Sequence, residues 1–294
     1  MSSPPLVSVV IPTYQRAALL EEAVRSVLAQ RYAHLEVLVE DDGSTDESGA
    51  AMARLADPRI SYRWAPNVGR PAPVRNRGVA RARGSLVAFL DSDDVWEPGK
   101  LEAQVAALEQ DPTLLAVSCE ATWVPARKQP VIGLDGVVVR PTFAELLQRN
   151  LVMTSGMVVR REALAAVGGF DESPELRAVE DLDLWLRLLR HRDRSIALLP
   201  QPLLLYRYGD GISLRGRREL EAVRRIAAKH PGHEPDAVRR ALAVRERNVR
   251  QGELRDGLRD GTLPLVEWLR APEVPLRRRL RLGAKALLLG RERT

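Results

Sequence analysis

Short β-branched apolar runs alternate with amphipathic stretches over the first two thirds of the chain. Val7-Ser8-Val9-Val10-Ile11 reads as a buried strand that Pro12 should end, and Leu19, Leu20, Ala23, Val24, Val27 and Leu28 then recur at helical spacing. Leu35 to Val39 predicts a second strand, stopped by the turn-forming Asp41-Asp42-Gly43-Ser44. Ile60 to Trp64 predicts a third, and Ser85 to Leu90 a fourth that runs into Asp91-Ser92-Asp93-Asp94. A helix over Leu101 to Leu108 and a fifth strand over Leu114 to Cys119 follow. From Val131 the pattern loosens. Val137-Val138-Val139 and Met157-Val158-Val159 read as strands, Val179 to Leu189 as an apolar helix with Glu180, Asp181 and Asp183 in its first turn, and Leu203 to Tyr208 as a last strand.

Strand–helix alternation with short connections predicts an α/β fold, a mostly parallel sheet covered by helices on both faces. In such sheets ligands gather at the carboxyl ends of the strands. Three polar clusters fall there: Pro12-Thr13-Tyr14, Asp41-Asp42, and Asp91 to Asp94.

With 294 residues, 45% of them hydrophobic, the chain can bury a full core. No apolar run approaches the roughly eighteen residues of a membrane-spanning helix. Met1 to Leu6 lacks the basic and apolar segments of a secretory signal. The single cysteine, Cys119, in an apolar run, reads as a core thiol in a reducing compartment, so the cytoplasm is the expected address. His34, His191, His230 and His233 show no zinc-type grouping with it and read as exposed. The net charge of +6 is uneven: beyond Arg215 basic residues outnumber acidic ones by roughly two to one. That part is helical, arginine-rich and broken by prolines and glycines, which places a boundary there. The expected organisation is a catalytic domain over 1–215, with a nucleotide-binding half about 1–120 and an acceptor half about 121–215, followed by a basic helical extension over 216–294. Within the extension, Leu276-Arg277-Arg278-Arg279-Leu280-Arg281-Leu282 with Ala284 to Leu289 could form a basic amphipathic helix. Such a helix either lies on the inner face of an anionic membrane or packs its leucines on protein. No aromatic residue interleaves with the arginines, so nucleic acid is not an expected partner.

Several carboxylates at one strand end are costly unless something positive sits among them. For Asp91-Ser92-Asp93-Asp94 the natural candidate is a hard divalent cation, Mg²⁺ or Mn²⁺, which takes one or two carboxylates and completes its shell with phosphate oxygens and water. The plainer alternative is a solvated acidic turn capping the helix that begins near Pro98.

These motifs occur together. Val7 to Tyr14, Val39-Glu40-Asp41-Asp42-Gly43-Ser44-Thr45-Asp46, Asn67-Val68-Gly69 with Arg75-Asn76-Arg77-Gly78, and Phe89-Leu90-Asp91-Ser92-Asp93-Asp94 are joined by Gly169-Phe170-Asp171-Glu172 and Glu180-Asp181-Leu182-Asp183-Leu184-Trp185. In order and spacing they resemble the family 2 glycosyltransferases of the GT-A fold, over roughly residues 6 to 215. The resemblance implies transfer of a sugar from a nucleotide-diphosphate donor, with uracil or a similar base, to a hydroxyl of a glycan or lipid-linked glycan. It also implies inversion at the anomeric carbon.

By the same resemblance Tyr14 lies against the base and the backbone near Pro12 helps hold it. Asp42, with Asp41 as its neighbouring candidate, accepts a hydrogen bond from the base. Arg75 sits near the diphosphate or orders the loop after Asn67. Asp93 is the direct metal ligand, Asp91 holds the ribose or a metal-bound water, and Asp94 supports the shell or reaches the donor sugar. Asp181 is the base that takes the acceptor proton, with Glu180 beside it in support. Trp185 reads as core, and Thr154-Ser155-Gly156-Met157, where relatives place the floor of the sugar site, reads as a buried strand edge. The chain departs from many relatives in lacking a histidine after Tyr206-Arg207, where Asp210 or water would substitute. It also lacks the Gln-x-x-Arg-Trp motif of processive synthases, so one sugar per encounter is expected. The competing classes are a non-catalytic binding subunit, which the intact acidic cluster and Asp181 disfavour, and a nucleotidyltransferase. The latter wants a glycine-rich basic loop where Pro12-Thr13-Tyr14-Gln15-Arg16 stands.

Overall fold

The computed structural model describes residues 3–126, 130–190, 195–207, 216–231 and 235–259. The chain divides into two compact units, the break falling between Ser213 and Leu214. Tyr208, Asp210 and the arginine–leucine segment Leu276 to Leu289 lie outside the described residues.

In chain order the first unit contains β1 (Val7–Thr13), α1 (Ala17–Leu28), β2 (Leu35–Asp41), α2 (Ser48–Leu55), β3 (Ile60–Trp64), α3 (Pro71–Arg81), β4 (Leu86–Phe89) and β5 (Val95–Trp96). Then come α4 (Lys100–Gln110), β6 (Leu114–Val124), α5 (Phe143–Gln148), β7 (Val158–Arg160), α6 (Arg161–Val167), α7 (Glu180–Leu188) and β8 (Ser195–Arg207). The strands form one sheet in the order β3-β2-β1-β4-β7-β6-β8-β5. The first half, β3 to β4, is parallel, and β6 pairs parallel with β8. β7 runs antiparallel between β4 and β6, and β5 antiparallel on β8. The sheet is thus parallel where the sequence alternates most regularly and mixed where it does not.

One sheet face packs Val9, Ile11, Val37 and Val39 against Leu20, Val24 and Val27 of α1 and Met52 of α2, with Leu101, Val105 and Leu108 of α4 farther along. The other face receives α3, and Gly78 is what permits the approach. A Cβ there would come within 2.4 Å of Val10 Cγ1. Buried Phe89, Phe170 and Trp185 meet edge to face, with centroids 5.2 and 6.2 Å apart; Trp185 is core, as expected.

Every residue of β2 is buried, its glutamates included. Glu40 is matched by Arg81 at 2.5 Å and Arg77 at 3.9 Å from α3, and Glu36 by Arg83 and the Ser8 hydroxyl. Arg77 and Arg81, one turn apart on α3, both reach Glu40, so its buried charge is compensated from one helix face.

Three expectations need correction. β1 does not stop at Pro12 but continues to Thr13. The Val10 carbonyl points to β4, accepting from Leu90 N, and Pro12 shares that parity. Its missing N–H therefore faces the space beyond the last β4 pairing at Phe89, where proline interrupts no ladder. Val137 to Val139 is not a strand: only Val139 forms a bridge, to Leu198, while Val137 and Val138 are exposed. Of the histidines, His34 is exposed but His230 is buried. Cys119 is buried, as expected of a core thiol.

In the second unit α8 (Arg217–Ala228) and α9 (Pro235–Arg259) pack together. Arg217–Glu253, Arg224–Glu246 and Arg245–Glu219 pair across them at 2.7, 2.8 and 2.5 Å. Part of the arginine excess is therefore spent on internal pairs. No helix among the described residues is long and apolar enough to cross a membrane.

Candidate active site

The carboxyl ends of β1, β2 and β3 are stitched together by side chains of the loops that follow them. Thr13 O accepts from Asp42 N at 2.9 Å, and Gln15, at φ 52°, donates its N–H to Ser44 Oγ at 2.8 Å. Tyr14, between them, is 48% exposed, and Pro12 is half-buried. Asp41 is fully buried and turns inward, accepting from Ser44 N at 2.7 Å and the Tyr62 hydroxyl at 2.6 Å. Asp42 takes bonds from Val68 N at 3.1 Å, Gly69 N at 3.0 Å and Arg77 at 3.2 Å, and so anchors the loop after β3. Gly43, at φ +88°, lets that loop close: a Cβ would stand 2.8 Å from Asn67 N.

Asp91, Asp93 and Asp94 follow β4 and precede β5. Asp91 is one-third exposed and bonds Arg75 at 2.7 Å. Asp93 pairs with Arg16 at 2.6 Å across the mouth of the cleft. Asp94 is almost wholly buried: one oxygen accepts from Arg207 N at 2.9 Å, and the other, Oδ2, has no hydrogen-bond partner. Burial and then the charge of Asp91 raise both the Asp93 and Asp94 carboxyls, Asp94 to about 8, while Arg16 opposes the rise at Asp93. Three carboxylates thus face two ion-paired arginines, Arg16 and Arg75. Among the described residues, however, no three histidine, cysteine or acidic side chains form a ready-made cation cage.

Across the cleft α7 begins at Glu180. Arg75, from α3, is buried and bridges the two sides, reaching Asp91 at 2.7 Å and Glu180 at 2.9 Å, with its guanidinium 5.4 Å from the centre of the Phe170 ring. Both carboxylates keep it charged. In this arrangement it is a strut between loop and helix. Beside Glu180, Asp181 is partly buried and accepts from Leu182 N at 2.7 Å, Asn150 at 3.0 Å and, more weakly, Thr154 at 3.4 Å. Burial and then Glu180 push its carboxyl up to about 6, against Leu182 N, Arg75 and Asn150.

Sequence reasoning missed several residues here. Arg16 was read only as part of a loop, yet it is the cation nearest Asp93. Ser155 bonds Asp91 N at 3.1 Å, and its carbonyl accepts from Trp96 Nε1 at 2.7 Å, so the buried Thr154–Gly156 turn braces the acidic loop from below. Arg207 holds Asp93 O and Glu22. Tyr206 falls opposite Asp94 by continuation of the Val95↔Leu205 register. Burial and the charges of Asp94, Asp91, Asp93 and Asp181 push its phenol up to about 12, so it stays neutral. None of these has a local signal beyond the tyrosine–arginine step; strand pairing alone brings them to the cleft.

A parallel half-sheet opening onto an acidic loop, closed by antiparallel strands and a helix bearing a carboxylate, defines a GT-A fold. Solved structures agree. Staphylococcus aureus TarS 1-349 superposes with a TM-score of 0.66 at 21% identity, over 81% of this chain and 70% of that one. The Pyrobaculum calidifontis mannosyltransferase PcManGT, in complex with GDP-Man and Mn²⁺, superposes with a TM-score of 0.60 at 21% identity, over 98% and 81%. The glycosyl transferase family 2 profile matches residues 8–164, and the chain belongs to that family: it is a glycosyltransferase. TuaG of Bacillus subtilis, provisionally named a teichuronic acid biosynthesis glycosyltransferase, is 31% identical over 191 residues, 63% of this chain and 73% of that protein. An uncharacterised Rickettsia conorii glycosyltransferase is 42% identical over 106 residues, which is only 17% of its length.

Proposed function

We propose that the chain transfers a sugar from a nucleotide-diphosphate donor, a UDP-sugar before others, to a hydroxyl of a glycan or lipid-linked glycan. The transfer is metal-dependent, inverting and one sugar at a time. The observation that carries this reading is the acidic cluster Asp91, Asp93 and Asp94 facing Asp181, the two sides joined through Arg75 and Glu180. Solved neighbours lend support: TarS has been crystallised with UDP and with UDP-GlcNAc, and PcManGT with GDP-Man and Mn²⁺.

The residues present fit a divalent cation. Asp94 Oδ2 is buried without a hydrogen-bond partner, and among the described residues only Asp91 and Asp93 of the three carboxylates meet an arginine side chain, so the cluster is one counter-charge short. Asp93 would hold the ion directly, with Asp91 and Asp94 beside it. A protein contribution this small suits Mg²⁺ or Mn²⁺, which draw their remaining ligands from phosphate and water. When bound, the cation supplies charge neutralisation to the diphosphate leaving group.

The chain's own residues do the rest. Tyr14 offers an exposed ring to the base, and Asp42 with Pro12 frames its edge. Arg75 fixes the spacing between Asp91 and α7. Asp181, ionised above about pH 6, takes the proton of the acceptor hydroxyl as that oxygen attacks the anomeric carbon opposite the diphosphate. Partial burial keeps it basic enough to accept a proton near neutrality. Domain boundaries near residue 215, with 216–294 as a basic extension, belong to the same proposal, as does its contact with an anionic membrane surface.

The test is nucleotide release from UDP-glucose, UDP-GlcNAc and GDP-mannose with Mn²⁺ or with EDTA, for the native chain, Asp93→Ala and Asp181→Ala. Release that needs the metal and falls at least about 100-fold in both variants supports the roles. Equal release by all three proteins overturns them.

A further inference from the structure

The surroundings of Asp181 decide which of its lone pairs is usable. A carboxylate has roughly four lone-pair directions. Three are filled here: Leu182 N takes Oδ1, while the Asn150 amide and the Thr154 hydroxyl both take Oδ2. Asn150 is not free to turn. Its Oδ1 accepts from Val152 N at 3.1 Å, closing a turn with the backbone two residues on, so its NH₂ must point the other way, to Asp181. The base of this arrangement is rigid. Asn150 follows α5, whose start is locked by a reciprocal cap between Thr142 and Glu145 and whose Phe143, Leu146 and Leu147 are buried. α5 packs on α7, the helix that carries Asp181.

We propose that Asn150 is a positioning residue for Asp181, turning the carboxylate so that its one unfilled lone pair is presented to the acceptor hydroxyl. The catalytic half of that statement rests on Asp181 being the base. The hydrogen bond also favours the ionised form, against Glu180 from the same helix and against burial. The other charged and titratable groups that face Asp181 are Arg75 from α3, which helps the ionised form, and the neutral phenol of Tyr206 from β8. Asp91 faces the far side of Arg75. Asn150 is therefore the closer of two neutral donors to Oδ2, and its removal leaves that oxygen only the longer Thr154 contact.

Two variants separate positioning from scaffolding. Asn150→Asp keeps the size and the acceptor that serves Val152 N, so the turn survives, but it loses the donor and adds a like charge. Asn150→Ala loses both functions. The aspartate side-chain carboxyls of the full chain, labelled with ¹³C, are titrated by NMR, Asp181→Asn identifying the Asp181 signal. The Asn150→Ala midpoint is expected about one unit higher than native, and the Asn150→Asp midpoint higher still, with Tm near native for Asn150→Asp. A merely structural asparagine predicts a native Asp181 midpoint and a lowered Tm in Asn150→Ala, whereas Asn150→Asp raises the midpoint through its added charge in either case and serves to show that the turn survives. A native Asp181 midpoint in folded Asn150→Ala overturns the proposal. The base assignment is read separately, by whether Asp181→Asn abolishes nucleotide release. If release persists, the base fails while the titration result stands.

Discussion

Replacing Arg75 by methionine removes the cation that joins two acidic walls. Its guanidinium is 6% exposed and meets Glu180, equally buried, at 2.9 Å and Asp91, one-third exposed, at 2.7 Å. Breaking a buried pair by removing one partner typically costs about 3–5 kcal/mol, because the remaining charge is left uncompensated. Asp91 can recover hydration, so most of the cost falls on Glu180, and about 3 kcal/mol is expected. In a unit of this size that lowers Tm by roughly 10 °C. Asp181 loses a favourable charge as well, and its titration midpoint rises. The decisive comparison is a cycle with Glu180→Gln, read by urea unfolding. Arg75→Met with Glu180→Gln leaves no stranded Glu180 carboxylate, so the double variant should be more stable than Arg75→Met alone, with a coupling of at least about 1 kcal/mol. A loss under about 1 kcal/mol for Arg75→Met, or strict additivity, would refute the strut.

Three further outcomes follow from particular contacts. Lys100 is fully buried between the Trp96 ring and Gln104, with no acidic partner in contact among the described residues, and burial lowers its ammonium to about 8. The unfolded chain therefore holds more protons between about pH 8 and 10.5, and stability should rise with pH across that window; Lys100→Met abolishes the rise, on the order of 3 kcal/mol, in paired unfolding curves. Gly78→Ala drives a methyl to 2.4 Å from Val10 and should cost about 1–3 kcal/mol in the same assay, a neutral result showing that α3 can lift off β1. Arg16→Ala frees Asp93 from its 2.6 Å ion pair, so Mn²⁺ affinity of the nucleotide-free protein, read by calorimetry, should increase; unchanged affinity would mean that Arg16 does not compete for that carboxylate.

The reach of the sequence is clearest at β3 and least clear at Val137 to Val139. Ile60 to Trp64 was legible to the residue, because apolar alternation between turn signals fixes a short strand locally. Val137 to Val139 has the composition of a strand, but it finds only a single bridge, and propensity without a partner does not make a sheet. The candidate carboxylates Asp91, Asp93, Asp94 and Asp181 could be picked out in advance only through their order and spacing with the other motifs, because acids at a strand end or a helix start are common as caps. Their partners could not. Arg16 and Asn150 carry no local pattern that distinguishes them, while Ser155, Tyr206 and Arg207 stood in segments whose bearing on the site was noted only through the resemblance.

The sequence by itself determined the alternation of elements, the parallel half of the sheet and the residues able to do chemistry, since each depends on neighbours a few positions away. Only the tertiary structure decided that Arg75 bridges Asp91 to Glu180, residues 16 and 105 positions off, that Glu40 of β2 is buried against arginines of α3, and that β7 enters antiparallel between β4 and β6. The physical reason is range. Periodicity and turn chemistry act within one element, whereas the placement of a buried charge depends on which distant element arrives with the opposite sign, and the chain encodes that only through its folded core.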